Sequence, residues 1–201
     1  MSSSSTLDPF TANSENNDLT PQEKIAGLHN ILKSCRVGMM TTHGSDGQLH
    51  SRAMIPATPF SDTQLTLVFI ANNASAKFDE LKNDSHVNVS FCSQDTSWAS
   101  YSGTAKISQD KELIRKHFST SMSAYFGDLK DGVHKGDAED PRVSIIQVVP
   151  SEIRYFVSTS SSITRAAQVA VSTVTGKTAH LGEMRTITEP EIQLTQQLHS
   201  N

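Results

Sequence analysis

Three residues on two separate segments have the chemistry to hold a phosphate. Arg52 stands in His50-Ser51-Arg52-Ala53-Met54, and Ser75 and Lys77 stand in Ile70-Ala71-Asn72-Asn73-Ala74-Ser75-Ala76-Lys77, just after an apolar run. If that run is a strand passing into a helix, the helix start offers unpaired N–H groups and a partial positive charge. Ser75 adds a hydroxyl donor and Lys77 a full charge. An arginine from a neighbouring strand supplies a two-pronged donor. On the residues alone a plainer reading stands beside this one, with Ser75 a helix cap, Lys77 solvated and Arg52 a surface strand residue.

No other grouping competes. The eight histidines are scattered, with no H-x-x-x-H or H-E-x-x-H spacing, so no metal site is expected. Cys35 and Cys92 lie far apart and read as two reduced, buried thiols of an intracellular protein. There is neither a G-x-S-x-G elbow nor a G-x-x-x-x-G-K-[ST] phosphate loop. The acidic stretch from Asp128 to Asp140 lacks calcium-ligand spacing and reads as a solvated loop. No residue stands out as an acid or base catalyst, so catalytic residues stay unassigned.

Composition narrows the class. Seventeen Lys and Arg against 21 Asp and Glu give a formal charge of −4, which argues against a nucleic-acid partner. Apolar residues make up 36%, lean enough to imply a globular core diluted by unstructured chain. No apolar run reaches the roughly 18–20 residues that span a bilayer. The N-terminus has neither the basic nor the apolar stretch of a secretory or mitochondrial leader. A cytoplasmic location is expected.

The elements that must position the candidate residues follow from periodicity. Residues 1–20, rich in Ser, Thr and Asn, are expected to form a disordered tail, and 21–201 a single domain. Thr20-Pro21-Gln22-Glu23 predicts a capped helix start, continued by Ile25, Leu28, Ile31 and Leu32. Strands are predicted at 36–42, 48–57 (ended by Pro56 and Pro59), 65–70, 87–91 and 98–107, the first two paired as a hairpin around Gly44 to Gly47. Gly103 marks a bulge or a close approach. Helices are predicted at 74–83 and 110–118, and a long polar loop, functional or mobile, at 127–142. Sixth and seventh strand segments follow at 143–149 and 152–157, the second readable as a continuation of the first. A helical turn or two is expected at 163–169 and a last helix at 189–198. Strands with short helices between them suggest a mainly β (α+β), mostly antiparallel domain.

The motifs R-x-G-M-M-T-T, G-x-D-G-x-L-H-S-R-x-M, S-x-K-x-x-E-L, H-V-N-V-S-F and W-x-S-Y-S-G-x-A follow one another between Arg36 and Ala105, within a resemblance that extends over residues 21–198. In this order the sequence resembles the pyridoxamine-5′-phosphate-oxidase-like FMN-binding split barrels, and among them the general-stress and fungal blue-light-inducible branch. The resemblance implies a Greek-key split β-barrel, a homodimer, and FMN held at the dimer interface. It implies that Arg52, Ser75 and Lys77 hold the FMN phosphate. Met39, Met40, Thr41, Thr42, Ala53 and Met54 match the strands along the flavin ring, although strand methionines also serve as ordinary core. Trp98 and Tyr101 match a strand near the flavin or the dimer contact, where Tyr155 is a further candidate, the alternative being that these aromatics fill the monomer's own barrel. The function implied is that of a stress-linked flavin-dependent oxidoreductase acting on an unknown small molecule, or else of a flavin-binding, storage or sensing protein. The C-terminal segment has only Lys177, His180 and Arg185 where true pyridoxamine phosphate oxidases carry an Arg/His-rich motif, which speaks against that particular reaction.

Overall fold

The computed structural model describes residues 8–16, 18–57, 61–160 and 162–198. Helix α1 (Pro9–Ser14) is followed by α2 (Pro21–Ser34). The expected capping box opens α2: the Glu23 amide donates to the Thr20 hydroxyl (3.3 Å) and the Thr20 amide to the Glu23 carboxylate (2.9 Å). Ile25, Leu28, Ile31 and Leu32, at helical spacing, bury its inner face.

Strands β1 (Gly38–His43) and β2 (Leu49–Met54) form the hairpin, with Gly47 at φ +80° in the turn. Next come β3 (Leu67–Asn72), α3 (Lys77–Asn83), β4 (His86–Cys92), β5 (Trp98–Ser108), α4 (Lys111–His117), β6 (Val143–Ser158), α5 (Ser162–Thr175), β7 (Gly182–Ile187) and α6 (Glu189–Leu198). All strand pairs are antiparallel, in the order β2-β1-β4-β5-β6-β3, with β7 also on β6. The sheet curls into a half-barrel closed by short helices. β6 makes this possible. Its first half pairs with β3, its second half with β7, and β5 runs along both. The two expected segments are therefore one strand, bent where Pro150 faces Gly103. A Cβ on Gly103 would lie 2.1 Å from the Val149 carbonyl oxygen, so only glycine fits this bulge.

β3 is nearly all apolar because it is buried on both faces. Leu67, Phe69 and Ala71 join the main core under α2, while Val68 packs with Ile114, Phe126, Val143 and Ile145 beneath α4.

Four expectations change. β7 was missed because Met184 and Ile187 are its only large apolar residues, too few to show alternation. α5 runs to Thr175 rather than ending near Val169. The 127–142 loop is clamped: buried Asp140 accepts from Gly136 N (2.7 Å) and pairs with Arg142 (2.7 Å), whose guanidinium also holds the carbonyls of Phe126 and Gly127. The tail is not wholly free. The Asn16 amide donates to the Met184 carbonyl (2.9 Å), the Asn16 side chain to Glu183 (2.9 Å), and Ser14 is buried. Polar and backbone contacts hold this segment, and composition does not report those. Residues 1–7 and 17 of the expected tail, and Pro59, lie outside the described residues.

Candidate functional site: a cation pair around one carboxylate

β2 presents Arg52 and His50 on one face, two residues apart, beside Met40 and Thr42 of β1. α3 lies against that face and brings Glu80 to it. The Glu80 carboxylate accepts from Arg52 Nη2 (2.6 Å), from His50 Nδ1 (2.6 Å) and from the Thr42 hydroxyl. Arg52 Nη1 donates in turn to the Thr42 oxygen. Burial pushes the Glu80 carboxyl up, but the hydrogen bonds from Thr42, His50 and Arg52 outweigh it and bring it down to about 2. One turn on, Asp84 accepts from His86 Nδ1 (2.7 Å) and faces His43 (3.5 Å).

The connection from β3 to α3 supplies the second cation. The Asn73 side chain donates to the Pro141 carbonyl (2.8 Å) and anchors the loop. Ser75 does not cap α3, whose N-cap residue is Ala76. Its hydroxyl donates to the Asn72 carbonyl (2.7 Å) and accepts from Lys77 Nζ (2.6 Å). Lys77 is half-buried, and among the described residues no carboxylate lies within ion-pair distance of it. Burial, then the neighbouring Arg52 charge, lower its pKa, against a smaller opposing pull from Glu80. Arg52 thus takes the carboxylate, while the Lys77 ammonium, bonded to the Ser75 hydroxyl, keeps unspent donors.

The remaining predicted residues divide by strand parity. Met40, Met54 and Tyr101 point inward and are buried in the core. Their side chains belong to the core, so a part for them along a flavin ring would fall to the backbone. Tyr101 meets Phe91 edge-to-face at 6.0 Å. Tyr155 is equally buried, its hydroxyl donating to the Lys24 carbonyl (2.6 Å), so neither tyrosine is a dimer contact. Thr42, buried, serves the Arg52–Glu80 cluster through its side chain. Met39, Thr41 and Ala53 face the opposite, outer side of the sheet. There Val37, Met39, Trp98, Ser100 and Cys92, which is exposed at the end of β4 where a buried thiol was expected, line a shallow groove of about 360 Å³.

Sequence reasoning missed Glu80 and His50. His50 was legible, since it shares a strand face with Arg52. Glu80 was not, because its meeting with Arg52 depends on how α3 docks.

Residues 23–180 match the family described as pyridoxamine 5′-phosphate oxidase like. The chain is 41% identical over 188 residues to protein bli-3 of Neurospora crassa, covering 92% of this chain and 90% of that one. General stress protein 26 of Bacillus anthracis shares the fold with a TM-score of 0.53 at 24% identity, over 67% of this chain and 92% of that one. An FMN-binding, pyridoxamine 5′-phosphate oxidase-related protein of Nostoc punctiforme shares it with a TM-score of 0.52 at 14% identity, over 69% and 84%. The split-barrel architecture is common to all of these structures. With the family match spanning well over half its length and the fold agreeing, this chain belongs to the pyridoxamine 5′-phosphate oxidase-like family.

Proposed function

We propose that the chain binds FMN, with Arg52, Ser75 and Lys77 on the phosphate, and works as a flavin-dependent oxidoreductase on a small molecule in a reducing, cytoplasmic setting. The observation that carries this is Lys77. A half-buried ammonium beside a second cation, bonded to a serine hydroxyl and to no carboxylate among the described residues, is costly unless an anion completes it. The donor set suits a phosphate: a guanidinium with spare N–H groups, an ammonium and a hydroxyl. When bound, FMN supplies the redox chemistry, and the protein supplies binding, orientation and electrostatics. Met39, Thr41, Ala53 and Trp98 are the predicted ring contacts whose side chains remain accessible.

The reading includes a homodimer. Val37, Met39, Leu49 and Ile55 all lie exposed on the outer side of β1 and β2 or their extensions, an apolar face that a second copy would cover. Pyridoxamine phosphate oxidation is not part of it. Arg185, the main basic residue of the C-terminal segment, is held by Glu183 at 2.6 Å.

Titration with FMN and riboflavin tests the phosphate site. Arg52→Ala should weaken FMN about 10–150-fold, the worth of a charge-assisted contact, and riboflavin little. Equal losses remove Arg52 from the site. Anaerobic bleaching of bound flavin by NADH or NADPH at a catalytic rate supports the oxidoreductase. Tight flavin without reduction turns the reading to a storage or sensing protein. Sedimentation tests the dimer: a monomer carrying its full complement of FMN overturns a shared site.

A further inference from the structure

We propose that Glu80 is the positioning residue of the phosphate site, a built-in counter-ion that holds Arg52 and Lys77 close enough to act together. The inference rests on the FMN reading above and adds to it the residue on which Arg52 depends. Its geometry is specific. Glu80 takes Arg52 Nη2 on one oxygen, together with the Thr42 hydroxyl, and His50 Nδ1 on the other. Arg52 Nη1 is spent on Thr42. Two of the guanidinium's five N–H donors therefore lock it to β1 and α3, and three are left for a ligand. A free arginine carries roughly 2 kcal/mol of rotamer entropy, which a pinned one does not lose again on binding.

The second consideration is repulsion. Arg52 lies near enough to Lys77 to lower its pKa, and Glu80 opposes that effect. Without the carboxylate the two cations have no reason to stay together until a ligand arrives. Removing Glu80 raises the positive charge of the site yet disperses the groups that bear it. Pre-organisation outweighs the added charge here, because a released guanidinium must be ordered again when the ligand arrives.

Glu80→Gln keeps the shape and an acceptor oxygen but removes the charge. The wild type should prefer FMN over riboflavin. Glu80→Gln should cut that preference about tenfold with riboflavin affinity unchanged, as for one lost charge-assisted contact. In an Arg52→Ala background the same change should do nothing further, since Glu80 acts through Arg52. The inference is overturned by tighter FMN binding, which makes Glu80 a competitor; by equal loss for both flavins, which makes it packing; or by a full additional loss in the Arg52→Ala background. A wild type without FMN preference removes the phosphate reading and this inference together. A preference that survives Glu80→Gln removes this inference alone.

Discussion

A group placed to meet an absent anion should cost stability until the anion arrives, and Lys77 offers a direct test. Its ammonium is half-buried, bonded to Ser75, beside Arg52. Lys77→Met keeps most of the stem and deletes the ammonium, which lies 5.9 Å from the Phe78 ring centroid. Because the group is also half-exposed, solvent screening limits the relief to about 0.5–1 kcal/mol. For a chain of 201 residues that corresponds to a rise in Tm of about 1–4 °C without ligand. The pH dependence has a definite sign. The folded pKa lies below the ordinary 10.5, so between the two values the unfolded chain holds a proton that the folded one has released. Wild-type stability therefore climbs relative to the variant as pH approaches 10.5. FMN should reverse the order. At a hundred times the wild-type Kd, ligand adds about 2.7 kcal/mol to the wild type but only about 1.4 kcal/mol to a variant that binds tenfold more weakly. Thermal melts with and without FMN, at neutral pH and near pH 10, read all of this. A Lys77→Met protein less stable than wild type without ligand would refute the reasoning, since the ammonium would then be satisfied by the fold itself.

Two further outcomes follow from contacts away from the site. Asp140→Ala should cost about 3–5 kcal/mol in urea unfolding at pH 7, because it strips a buried carboxylate from Arg142 and frees the 127–142 loop. The hydrogen bond from Arg142 holds the Asp140 carboxyl well below its usual range, so this stability is full above about pH 4 and fades as pH falls further. The gap to the variant should narrow at pH 3, and an undiminished gap there would contradict the ion pair. Deleting residues 1–16 should lower Tm by a few degrees, through loss of the Asn16 contacts to Glu183 and Met184. An unchanged Tm would mean that the segment docks without contributing.

Much of this protein is legible in its sequence because the interactions responsible are local. The Thr20–Glu23 box and the Gly47 turn each involve residues within three or four positions of one another. Gly103 announces a bulge because no side chain fits there. Arg52, Ser75 and Lys77 can be named in advance because their charges and donors are properties of residue type. Tertiary structure decided what depends on parity and docking. Met39 and Met40 are identical in chemistry, and only the sheet, by burying Gly38, Met40 and Thr42, determines which methionine faces out. Tyr101 looked like an interface aromatic until β5 placed it against Phe91. β7 and the 8–16 segment take their order from partners far along the chain, where composition carries no signal. Glu80 shows the limit most clearly. It is 28 residues from Arg52 in sequence, and the two meet only because α3 folds back across β1 and β2.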